Sequence, residues 1–132
     1  MVDHLTLGPV HHFAFRVTNL GRSIKFYQDL CGFQIVVEMP DVTILSNGAL
    51  ILGLRGQQHA ESDDQFDEFR VGLDHISFSV GSRDELERMV QVLDQHGVPH
   101  GAIEDQGPDF GLYVLAFRDP DNIQLELTAA YN

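Results

Sequence analysis

At 132 residues, 43% hydrophobic and 21% charged, the chain has the length and make-up of one globular domain, or of two small halves sharing a core. Eight Lys and Arg against twenty Asp and Glu leave a net charge of −12, which repels a phosphate backbone and argues against nucleic acid as a partner. No apolar run reaches the roughly 18 residues that span a bilayer, and the start Met1-Val2-Asp3-His4 lacks the features of a signal peptide, so a cytoplasmic protein is expected.

The first strand is expected at Val10 to Val17, where Phe13, Phe15 and Val17 alternate with His12, Ala14 and Arg16. After Asn19, Ile24, Phe26, Tyr27 and Leu30 recur at helical spacing, and Gly32 closes the run. Cys31, near this helix end, is the only cysteine, which excludes an internal disulfide and a cysteine-based zinc cluster. Strands are expected over Gln34 to Glu38, Val42 to Ser46 and Ala49 to Leu54. A polar, acidic connector, residues 55–70, then carries Glu61, Asp63, Asp64, Asp67 and Glu68, with Phe66 and Phe69 as its apolar points.

The second half repeats the first. Superposing His75 on His12 aligns Phe78 with Phe15 and Val80 with Val17. Ser82 with Glu85 forms a capping box, Leu86, Met89, Val90 and Leu93 follow at helical spacing, and Gly97 closes the helix. Strands are expected over His100 to Glu104, Tyr113 to Arg118 and Ile123 to Thr128, around a turn-rich segment from Asp105 to Gly111. The chain therefore spells βαβββ twice: module one at residues 8–54, the connector, and module two at 71–130. The expected class is α+β, a curved, incompletely closed antiparallel sheet with helices outside and an open concave side for a ligand.

Strand alternation puts His12 on the face opposite Phe13 and Phe15, His75 opposite Ile76 and Phe78, and Glu126 opposite Leu125 and Leu127. One histidine on such a face is ordinarily a hydrogen-bonded sheet residue. Two at matching repeat positions can converge, and two imidazoles with one carboxylate form a donor set for a divalent ion with open coordination positions.

The segments from His12 to Val17, from Ser23 to Phe33 and from Leu73 to Val80 resemble the opening signatures of the two modules of the vicinal oxygen chelate superfamily. Phe117-Arg-Asp-Pro-Asp-Asn-Ile-Gln-Leu-Glu-Leu127 resembles its closing signature, with Asn122 in place of the usual glycine. That superfamily includes glyoxalase I, extradiol dioxygenases, fosfomycin-resistance thiol transferases and bleomycin-resistance proteins. The resemblance implies the glyoxalase-like fold, one divalent ion (Fe, Mn, Ni or Zn) held by His12, His75 and Glu126, and a small oxygen-bearing substrate. Glu126 is implied as the catalytic group as well as a ligand. Glyoxalase-type lyase or isomerase chemistry is favoured over ring-opening dioxygenation, with a non-catalytic drug- or metabolite-binding protein of the bleomycin-resistance type as the alternative. Homodimerisation is implied too, with modules paired within one chain or across two.

Each subfamily lacks something here. The fourth ligand position of the superfamily falls on Gly53, and a tyrosine frequent in the thiol transferases and dioxygenases falls on Ala116. No lysine follows Lys25. Arg16 matches an arginine that contacts a substrate carboxylate in some glyoxalases, and Tyr113, with Asp109 and Phe110, is expected at the cavity edge as a second substrate contact. His11, His59, His96 and His100 fit no ligand pattern.

Overall fold

Two βαβββ units account for every helix and strand of the computed structural model, which describes residues 4–56 and 63–132. The chain divides between them at residues 62 and 63. His59 and Glu61 of the connector lie outside the described residues.

In the first unit, β1 (Phe13–Val17) leads into α1 (Leu20–Asp29), followed by β2 (Gln34–Met39), β3 (Val42–Ser46) and β4 (Ile51–Gly56). The side chain of Asn19 caps α1 by accepting from the Arg22 amide at 3.0 Å. Gly32 ends that helix at φ 76°, a left-handed turn that glycine enters without a Cβ clash, and Phe33 N–H closes onto the Tyr27 carbonyl at 3.0 Å. The sheet order is β1-β4-β3-β2. Phe15, Val17, Leu45, Leu52 and Leu54 are buried together with Tyr27 and Phe33, so one face of the sheet is the core face and α1 packs beside β4.

The second unit repeats this with β5 (Ile76–Ser79), α2 (Arg83–Gln95), β6 (Glu104–Asp105), β7 (Leu112–Arg118) and β8 (Gln124–Ala130), in the order β5-β8-β7-β6. Ser82 caps α2 through the Glu85 amide at 3.2 Å, and Glu85 reaches back to the Gly81 amide at 2.8 Å, one residue before the cap. Leu86, Leu93, Leu115, Phe117, Ile123, Leu125 and Ala129 are buried.

Two differences from the sequence reading have physical causes. The sheets are mixed: β1 pairs with β4, and β5 with β8, in parallel, because the helix in each unit carries the chain back before the meander returns antiparallel. The strand expected from His100 to Glu104 is reduced to Glu104–Asp105 and an isolated bridge between His100 and Phe117, as His100 is drawn toward α2 by a 2.6 Å bond to Asp94.

The turn between β7 and β8 sets the register of the second sheet. Asp119, buried, accepts from the amides of Asp121 and Ile123 at 2.9 Å each. Asn122 sits at φ 67°, a left-handed conformation that asparagine tolerates better than most residues, which explains its place where a glycine is usual. The turn delivers β8 so that Glu126 lies directly opposite Ala116.

Candidate functional site

Among the sequence-predicted residues, the second unit brings His75 and Glu126 together. β5 and β8 run side by side with Ser77 opposite Glu126, and His75 immediately precedes β5. Nε2 of His75 stands 3.1 Å from Oε2 of Glu126, the imidazole 39% exposed and the carboxylate 19%. Around them the open face carries Ser77 and Thr128, hydroxyl to hydroxyl, and the methyl of Ala116.

A carboxylate oxygen can only accept, and an imidazole nitrogen without a proton can only accept. Two such atoms at 3.1 Å repel unless a proton or a cation lies between or beside them. Ligands held about 2.1 Å from a single Zn²⁺ or similar ion, at angles between octahedral and tetrahedral, stand roughly 3.0–3.4 Å apart. The observed separation falls in that interval, and the donor set of one imidazole and one carboxylate suits such an ion. No group of three His, Cys, Asp or Glu side chains suited to a metal forms among the described residues. The second unit supplies two donors.

The other face of His75 is occupied. Its Nδ1 lies 2.6 Å from Oδ1 of Asp74, which also receives Nε2 of Gln124 at 3.0 Å. Oε1 of Gln124 accepts from Arg118 at 3.2 Å, and Arg118 is held by both oxygens of Glu68 at 2.8 Å. That guanidinium keeps the Glu68 carboxyl down at about 2. Neither Asp74 nor Gln124 was singled out in the sequence; the signal available was a carboxylate directly before a candidate ligand histidine.

His12 belongs to the first unit, immediately before β1. Its Nδ1 meets Nδ1 of His11 at 2.9 Å, and the two rings stand edge to face. Arg16 follows on the same face of β1, exposed, with one guanidinium nitrogen donating to the Gly56 carbonyl at 2.9 Å. Arg55 on β4 is its register partner. Gly53, buried, faces Ala14: a Cβ there would stand 3.3 Å from that of Ala14 and 3.6 Å from the Ile44 side chain. The position that the resemblance gives to a fourth ligand thus lacks a carboxylate and is crowded by Ala14.

Tyr113 is the residue expected at a cavity edge. It shares strand parity with the buried Leu115 and Phe117, opposite to Ala116 and Glu126. Its ring stacks on Tyr131, with centroids 4.8 Å apart, and lies under the Arg83 guanidinium at 5.4 Å. Alternation along β7 puts it on the side covered by α2. Phe110 is exposed. His100 is bonded to the Gly101 carbonyl and then to Asp94, which raise its pKa in that order, and His96 bonds the Val92 carbonyl at the end of α2.

Residues 10–127 match the family model described as Glyoxalase/Bleomycin resistance protein/Dioxygenase superfamily. A metallothiol transferase, FosB, of Staphylococcus saprophyticus is 28% identical over 120 residues, covering 89% of this chain and 74% of its own. The uncharacterized protein YwkD of Bacillus subtilis is 28% identical over 130 residues, 93% of this chain and 98% of that protein. A crystal structure of a glyoxylase/bleomycin resistance protein/dioxygenase domain from a Frankia species superposes with a TM-score of 0.80 at 31% identity, covering 96% of this chain and 95% of that one. No helix among the described residues is long and apolar enough to cross a membrane.

Proposed function

Because the chain belongs to the Glyoxalase/Bleomycin resistance protein/Dioxygenase superfamily, we propose that it is a divalent-metal-dependent enzyme acting on a small oxygen-bearing substrate, with His12, His75 and Glu126 as its protein ligands. The observation that carries this reading is the 3.1 Å approach of His75 Nε2 to Glu126 Oε2, an imidazole nitrogen and a carboxylate oxygen at the spacing of neighbours around one ion. A divalent ion held there would supply a Lewis acid that polarises a substrate oxygen and stabilises negative charge on it. His12, which the first unit carries just before β1, is the third donor of this reading.

The chain's own residues narrow the chemistry. Gly53 removes a second carboxylate from the ligand set, and its contact with Ala14 resists replacement. Glu126, the one carboxylate left in the set, would have to serve as ligand and proton carrier at once to move a proton between two adjacent carbons. It suffices where the substrate is activated for attack by a nucleophile brought by a second reactant. A thiol is such a nucleophile, and the Staphylococcus saprophyticus relative is called a metallothiol transferase. The likeness to that relative puts thiol transfer ahead of isomerase or lyase chemistry and of ring-opening dioxygenation in this reading, even with Ala116 where the thiol transferases often carry a tyrosine. Ala116, opposite Glu126, leaves room for the substrate. Arg16, with its guanidinium on an exposed strand position, is the side chain this reading assigns to an anionic group.

The test is metal loading followed by thiol consumption with a panel of small epoxides and carbonyl compounds. Metal-dependent loss of thiol supports the reading. A protein that binds no Mn²⁺, Ni²⁺, Zn²⁺ or Fe²⁺ overturns it.

A further inference from the structure

We propose that Asp74 is a positioning residue that locks His75 in the Nδ1–H tautomer and so leaves the Nε2 lone pair facing Glu126. The inference rests on the metal reading only for its purpose; the lock itself follows from the direction of a hydrogen-bonded chain.

That direction is fixed at one end. Arg118 has donors and no acceptor, and its two bonds to Glu68 orient the guanidinium. The Gln124 atom that meets Arg118 must therefore be the amide oxygen, as observed at 3.2 Å. Its NH₂ group then faces the Asp74 carboxylate at 3.0 Å and the Asp74 carbonyl at 3.3 Å, donating to both. The Asp74 carboxylate, already an acceptor, meets His75 Nδ1 at 2.6 Å and can only accept there too. Both ring nitrogens face a carboxylate, and the single proton of the neutral ring goes to Nδ1, whose partner Asp74 is the nearer at 2.6 Å against 3.1 Å for Glu126. In the neutral ring, Nε2 is left with a lone pair toward Oε2 of Glu126.

The lock has a use. A neutral imidazole offers a metal only the nitrogen that bears no proton, and the unconstrained ring places its proton on either one. A carboxylate on the far nitrogen removes that ambiguity and raises the basicity of the near one. The same chain joins the site to the connector: Glu68 lies in the segment where Phe66 N–H donates to the Asp121 carbonyl at 2.9 Å and the Asn122 amide donates to the Phe66 carbonyl at 3.0 Å. Residues of the acidic connector thus hold the orientation of a ring on the open face.

The test uses ¹⁵N-histidine NMR of the metal-free full chain above about pH 8, where an ordinary imidazole is neutral, with Mn²⁺ or Zn²⁺ titrations in parallel. The expected result is the Nδ1–H pattern for His75 in the native chain, a shift toward Nε2–H in Asp74→Ala, and recovery in Asp74→Asn, which keeps an acceptor oxygen. Metal affinity should fall about 10- to 100-fold in Asp74→Ala and recover in part in Asp74→Asn. An Nε2–H tautomer in the native chain, or an unchanged tautomer in Asp74→Ala, overturns the proposal. A native chain with the Nδ1–H tautomer that binds no metal upholds the lock and refutes the metal reading, so the two fail separately.

Discussion

His75, just before β5, and Glu126, on β8, come from opposite ends of the second sheet in sequence, yet Nε2 and Oε2 stand 3.1 Å apart where those strands pair in parallel. The register that joins them is set elsewhere, by the Asp119–Asn122 turn that aligns β7 with β8 and by the parallel pairing of β5 onto β8.

That dependence predicts a remote effect. Asp119→Ala removes the acceptor for two buried amides, which should cost about 2 kcal/mol or more in unfolding free energy. In thermal or urea melts it should be far more destabilising than Asp109→Ala in the exposed loop, and equal melts for the two would contradict the role given to the turn.

Packing at Gly53 predicts a coupled pair. Gly53→Ala should destabilise the chain by about 1–3 kcal/mol, because its Cβ would sit 3.3 Å from that of Ala14. Ala14→Gly in the same chain should recover part of that loss, giving a non-zero coupling in a double-mutant cycle. Strict additivity would show that the contact is not the cause.

The Glu68–Arg118 pair predicts a pH dependence. Arg118 holds the Glu68 carboxyl at about 2, below its ordinary 4.5. A carboxyl depressed on folding favours the folded chain above its unfolded value, and that contribution fades as pH falls toward the folded one. The stability difference between the native chain and Glu68→Gln should therefore be largest above about pH 4.5 and shrink toward about pH 2. Urea midpoints across that range measure it; a difference independent of pH would contradict the assignment.

Much of this architecture is legible in the sequence. The repeat of His12-Phe-Ala-Phe in His75-Ile-Ser-Phe gave the two units, and period-two alternation placed Glu126 away from Leu125 and Leu127, as the burial of Leu125 bears out. Asn19, Ser82, Gly32 and Gly97 marked both helices. Strand direction was not legible, because β1 and β4 carry the same alternation whether they run parallel or antiparallel. Tyr113 was placed by its nearness to a turn, whereas its parity with Leu115 already put it on the helix side. The chain through Gln124 and Arg118 was hidden for a different reason. It joins residues distant in sequence whose types, taken singly, read as ordinary surface polarity.

Metal stoichiometry tests the central claim most directly. Elemental analysis and calorimetric titration of the purified protein should find one divalent ion per chain, lost in His75→Ala and in Glu126→Ala while both variants keep the native circular dichroism. Stoichiometric metal retained in His75→Ala, or a native chain that takes up none, would contradict it.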